Sequence, residues 1–368
     1  MGLTEEVDKM RKEIRTDGYP MSINEWISLY DNDEIDIHPE FQRYYRWSIE
    51  QKTRLIESIL LGIPIPPIFV SQRADGVWDV VDGLQRLSTI YEFVGILKDE
   101  TGKEFPPLVL QKTDYLPSLE NIKWDDKYDE GHSLTSDQRL LIKRSKLSTS
   151  IILRESDDLT KFELFQRLNT GGSSLTPQEV RNCILVMLNK VFYEWLRELS
   201  EFDHFQEVIS LSENPLQQQY DVELVLRFVV FSEINIKDLS NLGDVGTFLT
   251  NSMVAMAKET NFDFKTYEHS FKKSFELLNS SIGRDAFRKY NTSRNKHIGG
   301  FVLSPYEVIA YGLGYNINKG LVFDANRVKD KCISIWENPT FLEWSGSGIN
   351  ASRRLPRLVP LGRDIFSS

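Results

Sequence analysis

The feature that most constrains the fold is a change of hydrophobic period at Asp82-Gly83. The preceding segment, Val77 to Val81, has the composition of a strand and follows Asp75-Gly76, a pair typical of a hairpin turn. The apolar residues after Gly83 recur at the spacing of one helical face, as Leu87, Ile90, Tyr91 and Val94. The sequence therefore predicts a strand, a tight glycine turn and a helix N-terminus in direct succession.

Short strands and helices alternate on both sides of this turn. Further strands are predicted at Ile35 to Ile37, Ile68 to Gln72 and Leu147 to Leu153, and helices at Ser22 to Tyr30, Ile49 to Leu60, Ser136 to Arg144 and Leu159 to Leu168. From Thr176 onward the pattern is almost wholly helical. The predicted fold class is α+β, with a mainly α-helical C-terminal domain.

The same patterns predict a division of the chain into four parts. A polar helical leader covers residues 1–20, and a mixed domain covers 21–185 with an irregular, proline-containing insertion at about 101–130. A helical domain follows over 186–344. The last part, 345–368, is rich in Arg, Gly and Ser and has no evident helical period, so it is predicted to be an irregular tail.

Composition excludes several classes of protein. At 368 residues and 40% hydrophobic content the chain can bury two cores, and its apolar runs are shorter than the roughly 20 residues of a membrane span. The start of the chain has no apolar signal region, so we expect a cytoplasmic protein without membrane partners. Its two cysteines and five scattered histidines fit neither a disulfide framework nor a zinc site.

The formal net charge of −10 argues against a basic coat for nucleic acid, so any contact with DNA must be local. Candidate residues for such a contact are Arg139, Lys143, Arg144, Lys146, Arg353, Arg354 and Arg357. A further basic stretch, Arg284 to His297, ends in Gly299-Gly300. Each cluster is either a phosphate contact or an ordinary solvated face.

The Asp82-Gly83 corner has the chemistry of an anion site. Amides at the start of a helix lack intrahelical partners, and with the helix dipole they attract phosphate. Arg86 could add a guanidinium contact, and Ser88 or Thr89 a hydroxyl. Asp82 would either anchor Mg²⁺ or orient Arg86. The alternative is that Asp-Gly is only a turn and a helix cap.

Two other segments carry polar and aromatic residues in unusual density. QRYYRW contains Gln42, Arg43, Tyr45 and Trp47, a mixture suited to a planar base and its phosphates. The other, FQRLNTGGSSLTPQEVRN, contains Arg167 and Asn169 before a double glycine. Thr176 and Glu179 in it predict a capping box that begins the next helix.

These three segments, in this order over Ile35 to Asn182, resemble the GmrSD-type family, also known as domain of unknown function 262. The hallmarks of that family are QRxYxW, DGQQR and RLNTGG segments. The resemblance implies a ParB/sulfiredoxin-like fold for this half of the chain, and a DGQQR segment that binds and hydrolyses a nucleoside triphosphate to license DNA cleavage. Carried over to this chain, it implies catalytic roles for Asp82, Gln85 and Arg86. Together with the hydroxyls of the corner, the predicted nucleotide and phosphate contacts are Gln42, Arg43, Tyr45, Gly83, Arg86, Ser88, Thr89, Arg167 and Asn169.

The chain departs from the family pattern in two places. Leu84 replaces the first Gln of DGQQR, which affects hydrolysis more than phosphate binding. The C-terminal half also lacks the closely spaced His and Asn or Asp residues of an HNH nuclease. We therefore expect that a nuclease, if one acts, is supplied by a partner.

Three functions remain open from the sequence. One is an NTPase of a prokaryotic restriction or phage-defence system, with Mg²⁺ held by Asp82. Another is a nucleotide- or DNA-binding regulator, without catalysis, of a separately encoded effector such as a nuclease or toxin. The third, direct DNA cleavage, has the least support, because Asp75, Asp79 and Asp82 lie on a hairpin without a nuclease spacing.

Overall fold

The chain forms two compact units, Met1–Ser174 and Leu175–Ser368. The computed structural model describes residues 2, 16–37, 47–99, 101–126, 129–153, 176–346 and 348–367. The first unit combines a sheet with helices, and the second is mainly helical. The predicted α+β class with a helical C-terminal region is therefore confirmed.

The first unit is built on a mixed five-stranded sheet. Its strands are β1 (Thr16–Ser22), β2 (Ile35–Asp36), β3 (Ile68–Gln72), β4 (Trp78–Asp82) and β5 (Lys146–Ile152), in the order β1-β5-β3-β4-β2. Strand β3 is antiparallel to β4 and parallel to β5, and β2 is parallel to β4. This arrangement places the C-terminal end of β4, where Asp82 lies, beside the start of β3.

Four helices of the first unit lie within the described residues: α1 (Ile23–Asp31), α2 (Ile49–Leu61), α3 (Leu84–Val94) and α4 (Ser136–Arg144). Local sequence sets their ends. Ser48 and Gln51 form a capping box at the start of α2, and Gly62 ends it with a positive φ of 69°. Thr135 and Gln138 form the same box on α4.

Helix α3 lies in the core of the first unit. Leu87 and Ile90 on its apolar face are buried with Trp26, Ile56 and Ile68 from other elements. Burying one large side chain of this kind contributes roughly 1.5–3 kcal/mol. Lys52 of α2 also pairs with Glu92 of α3 at 2.7 Å. The position of the Asp82-Gly83 corner is thus fixed by tight packing on the helix that follows it.

The second unit contains eleven helices over its described residues. They are α5 (Pro177–Leu188), α6 (Lys190–Ser200), α7 (Asp203–Ile209), α8 (Glu213–Gln217), α9 (Tyr220–Ser232), α10 (Val245–Lys258), α11 (Phe264–Ser281), α12 (Leu303–Asn318), α13 (Ala325–Ser334), α14 (Pro339–Trp344) and α15 (Ala351–Ile365). The predicted capping box of Thr176 and Glu179 is present at the start of α5. Between α11 and α12 the chain forms an antiparallel hairpin of β6 (Arg288–Asn291) and β7 (Lys296–Phe301), which helical periodicity did not predict.

Two parts of the predicted division are corrected. Residues 16–20, assigned to a helical leader, belong to β1, because Thr16–Ser22 pairs along its whole length with β5. The segment 345–368, predicted to be an irregular tail, contains the 15-residue helix α15. Pro356 and Pro360 inside that helix obscured its period, although Leu355, Leu358 and Val359 are buried at helical spacing.

Two expectations from composition can be compared with the fold. In the part of the chain that the structure describes, no helix combines the length and apolar character needed to cross a bilayer. Cys332 is a buried, free thiol, and burial raises its pKa to about 12. This cysteine therefore behaves as a small hydrophobic side chain.

Candidate functional site

The candidate site is the corner between β4 and α3. Strand β4 ends at Asp82, Gly83 adopts a φ of 107°, and α3 begins at Leu84. The N-cap residue is Gly83, which has no side chain to bond the first amides of this helix. The corner therefore has the backbone geometry of an anion site, with the positive end of the helix dipole at Gly83.

Gly83 is required by both conformation and space, which gives a first testable prediction. A Cβ at this position would lie 2.5 Å from Cδ1 of the buried Ile68, and the φ is one that side chains rarely adopt. We expect Gly83→Ala to lower the free energy of unfolding by roughly 1–3 kcal/mol from backbone strain, plus the cost of the clash. Urea denaturation would measure it.

The matched control is Gly76→Ala. Gly76 has a similar φ of 93°, but a Cβ there would meet no atom within 4 Å. Gly76→Ala should therefore lower the free energy of unfolding by the backbone strain alone, without the cost of a clash. Equal destabilisation by the two substitutions would contradict the packing argument.

Arg86, in the first turn of α3, is oriented by the protein. Its Nη2 donates to Oδ2 of Asp82 at 2.8 Å, and its Nη1 donates to the carbonyl oxygen of Pro66 at 2.7 Å. The side chain is 10% exposed, and that of Asp82 is 31% exposed. Of the two roles predicted for Asp82, the observed geometry is that of the group that orients Arg86. The Pro66 contact was not predictable, because no local pattern brings these two residues together.

Gln85 connects the corner to the first sequence motif. Its Oε1 accepts a hydrogen bond at 3.2 Å from the backbone N–H of Trp47, the last residue of QRYYRW. Trp47 itself packs against the core of the first unit. The last residue of QRYYRW and Gln85 of the corner are thus in direct contact.

The two predicted hydroxyl ligands have different environments. Thr89 is buried and donates to the carbonyl of Gln85 at 2.7 Å, so its hydroxyl is engaged within the helix and is removed from the phosphate set. Ser88 is also fully buried, but its Oγ has no hydrogen-bond partner among the described residues. A buried hydroxyl without a partner is a group that a ligand or an ordered water can satisfy.

Several predicted nucleotide contacts lie outside the described residues. They are Gln42, Arg43, Tyr45, Arg167 and Asn169. Their roles remain predictions.

Acidic residues near the corner are engaged with a basic side chain. Arg73 bonds Oδ2 of Asp36 at 2.6 Å and also pairs with Asp79. Burial lowers the pKa of Arg73, but the hydrogen bonds to Asp79 and Asp36 outweigh it, so the net pKa is raised. No group of three or more potential metal ligands occurs among the described residues. Asp79 therefore serves the fold of the hairpin.

The end of the third motif is built into the second unit. Arg181 is buried and bonds Thr250, Gln178 and Glu223 at 3.0–3.2 Å. Asn182 is buried and accepts from Gln178 at 2.8 Å. Burial lowers the pKa of Arg181, and Glu223 opposes that effect. These contacts hold α5 against α9 and α10.

The first group of nucleic-acid candidates is only partly accessible. Arg139 donates to the carbonyl of Leu134 at 2.7 Å and approaches Asp125 at 3.5 Å, so it stabilises the turn before α4. Arg144 and Lys146 are exposed, and Lys143 is half-buried. The exposed part of this cluster is therefore smaller than the sequence indicates.

The C-terminal arginines have separate environments on α15. Arg353 lines a cavity of about 450 Å³ together with Trp344. Arg357 lies over the Trp344 ring, 5.7 Å from its centroid. Arg354 forms a two-point ion pair with the buried Glu307, at 2.6 and 2.8 Å. Its assignment as a nucleic-acid contact is corrected, because the guanidinium is directed into the unit.

Comparison with known proteins agrees with the motifs. Residues 23–186 match the family model described as GmrSD restriction endonuclease, N-terminal domain. No curated protein matches the chain. The matched region includes the whole corner between β4 and α3.

Proposed function

We propose, from the GmrSD-type N-terminal domain that residues 23–186 form, that this chain binds a nucleoside triphosphate at the Asp82–Arg86 corner. The family match indicates a component of a DNA restriction or phage-defence system. In this proposal the nucleotide is the signal to which the component responds.

The observation that carries the proposal is the uncapped start of α3 at Gly83. A helix N-terminus preceded by a glycine with positive φ lets a phosphate approach the backbone closely. The partnerless hydroxyl of Ser88 lies one turn into the same helix. Side chains of a helix lean toward its N-terminus, so this hydroxyl is directed toward the first turn.

Side chains at and near the corner would supply the other contacts to the nucleotide. Arg86 uses two of its five N–H groups on Asp82 and Pro66, and the proposal assigns its remaining N–H groups to phosphate oxygens. Gln42, Arg43 and Tyr45 precede Trp47 and would contact the base and phosphates. Arg167 and Asn169 are proposed as further phosphate contacts.

Mg²⁺ would enter with the triphosphate. It binds proteins through one or two carboxylates together with substrate phosphates. Oδ2 of Asp82 is bonded to Arg86, whereas Oδ1 has no hydrogen bond within the described residues. That oxygen fits a single Mg²⁺ contact, and the ion would supply charge neutralisation for the phosphates.

A second candidate is binding without hydrolysis, in a regulator of a separately encoded nuclease or toxin. Gln85, the amide that would position water, bonds the backbone of Trp47 in the structure. The neighbouring position holds Leu84, which has no polar group. Phosphate release from each NTP with Mg²⁺ distinguishes the two candidates.

The test of nucleotide binding is calorimetric titration of the full chain with ATP, GTP, CTP and UTP, with and without Mg²⁺. A charge-assisted hydrogen bond contributes roughly 1.5–3 kcal/mol, so we expect Arg86→Ala to weaken binding at least about tenfold. Arg54→Ala is the matched control, because Arg54 is an exposed arginine of the same unit that pairs with the exposed Glu50. It should bind as the wild type does.

A second variant separates loss of nucleotide binding from loss of folding, which Arg86→Ala alone does not separate. Ser88→Ala removes a hydroxyl that no group in the described part of the chain satisfies, so it should leave the melting temperature unchanged and weaken nucleotide binding several-fold. Absence of binding to all four nucleotides by the wild type would refute the proposal. Unchanged affinity in both folded variants would do so as well.

A further inference from the structure

The hairpin of β6 and β7 is a separate two-stranded ribbon in the second unit. Within the described chain its strands pair only with each other, as Arg288 to Phe301, Lys289 to Ile298, Tyr290 to His297 and Asn291 to Lys296, with a bulge between Arg288 and Lys289. Aromatic contacts anchor its base, since the Phe301 ring lies 5.8 Å from Phe287. The ribbon is therefore a fixed extension of the helical unit.

The ribbon concentrates positive charge on an acidic chain. Residues 284–301 contain Arg284, Arg288, Lys289, Arg294 and Lys296, with Asp285 as the one acid, while the whole chain has a net charge of −10. Asp285 is already paired with Arg288 at 2.9 Å.

Within the ribbon itself, three of these cations are available to a partner. Lys289, Arg294 and Lys296 are exposed and form no ion pair with any described residue.

The register places the free cations together. Side chains alternate along a strand, so Lys289 and Asn291 share one face with their partners Ile298 and Lys296. Tyr290 and His297 occupy the opposite face, with ring centroids 4.9 Å apart. One face of the ribbon is thus basic, and the other is aromatic.

The tip of the ribbon is ordered by its own side chains. Oδ1 of Asn291 accepts from the backbone N–H of Arg294 at 2.9 Å and from Oγ of Ser293 at 2.7 Å. The Tyr290 hydroxyl bonds Asn295. Arg294 is therefore presented at the end of the ribbon on a defined turn.

We propose that this ribbon docks in the major groove of duplex DNA, with Lys289, Arg294 and Lys296 against the phosphates. Two paired strands about 4.8 Å apart fit a groove about 12 Å wide, which admits a two-stranded ribbon. The chain as a whole has an excess of negative charge that repels phosphate, which favours contact at this basic surface. Gly299 and Gly300 are exposed beside it without side chains, which permits close approach of the DNA backbone.

The test is fluorescence anisotropy with a labelled DNA duplex of about 24 base pairs over a salt series, using the full chain. We expect the triple variant Lys289→Gln, Arg294→Gln and Lys296→Gln to bind the duplex at least about tenfold more weakly. The slope of log K against log salt should fall by about 0.9 for each phosphate that the variant no longer neutralises. The melting temperature should not change, because all three side chains are exposed.

The matched control is the triple variant Lys237→Gln, Lys265→Gln and Lys329→Gln. These lysines are exposed, belong to the same unit and form no ion pair with described residues, so the change in net charge is identical. Its affinity should stay within about twofold of the wild type. Equal losses in the two triple variants would overturn the proposal, as would no binding by the wild type at low salt.

Competitors separate groove docking from general attraction to polyanions. Poly-glutamate or single-stranded DNA that displaces the duplex at equal charge concentration would contradict groove docking. Nucleotide titration of the ribbon variant should give the wild-type affinity. Failure of the ribbon proposal and failure of the nucleotide proposal can thus be told apart.

Discussion

Arg354→Ala is expected to lower the free energy of unfolding by roughly 3–5 kcal/mol, the cost of leaving a buried charge without its partner. Glu307 has no exposed surface, and both of its carboxylate oxygens bond the Arg354 guanidinium. Arg354 also donates to the carbonyl of Ile349 at 3.1 Å. Chemical denaturation of the two proteins would measure the difference.

The double variant Arg354→Ala with Glu307→Gln is the control. A neutral amide removes the uncompensated charge, so this variant should recover much of the stability lost in the single variant. If the double variant were no more stable than Arg354→Ala, the loss would come from packing rather than from charge.

The same pair gives a pH dependence with a defined sign. Burial raises the pKa of Glu307, and Arg354 opposes that effect. Without Arg354 the rise is larger, and a carboxyl whose pKa is raised by folding stabilises most below its unfolded pKa. The Arg354→Ala variant should therefore lose stability as pH rises from about 4, relative to the wild type. A constant difference across that range would contradict this account.

Gly362→Ala is expected to destabilise the second unit by at least about 3 kcal/mol, the upper end of the usual overpacking cost. A Cβ on Gly362 would lie 2.2 Å from the carbonyl oxygen of Val308. From the facing helix, a Cβ on Gly312 would lie 2.4 Å from the carbonyl oxygen of Gly362. Both obstacles are backbone atoms, so no rotation of a side chain relieves them. Helices α12 and α15 would have to separate.

Gly300→Ala is the comparison for this prediction. A Cβ at Gly300 meets no atom within 4 Å, so the substitution should change the melting temperature little. Inside a helix, alanine is more favourable than glycine by about 1 kcal/mol. An unchanged or raised free energy of unfolding in Gly362→Ala would therefore mean that α12 and α15 do not pack this closely.

The local sequence predicted those parts of the site that depend on residues close together in the chain. Asp82-Gly83 marked the end of a strand and the start of a helix, and both lie where the pattern indicates. The box of Thr176 and Glu179 likewise begins α5. Each of these signals depends on residues within one turn of each other, so it can be recognised without knowledge of distant contacts.

The partners of the site residues could not be predicted in this way. Gln85 meets the Trp47 backbone across 38 positions, and Arg86 meets the Pro66 carbonyl across 20. Arg354 was assigned to nucleic acid because charge alone does not reveal that Glu307 lies opposite it. Strand β1 was not predicted, because its partner β5 is far away in the sequence.

The amino-acid sequence by itself determined the α+β class, the corner at Asp82-Gly83 and the helical character of the second half, because period and capping are local properties of a chain. Tertiary structure decided which arginines stay on the surface and which are engaged in buried pairs. It also decided that a segment with two prolines becomes a helix, since α15 is held by Arg354 and Gly362 against α12. Burial and long-range contact are properties of the folded molecule, and they set the free energy of these groups.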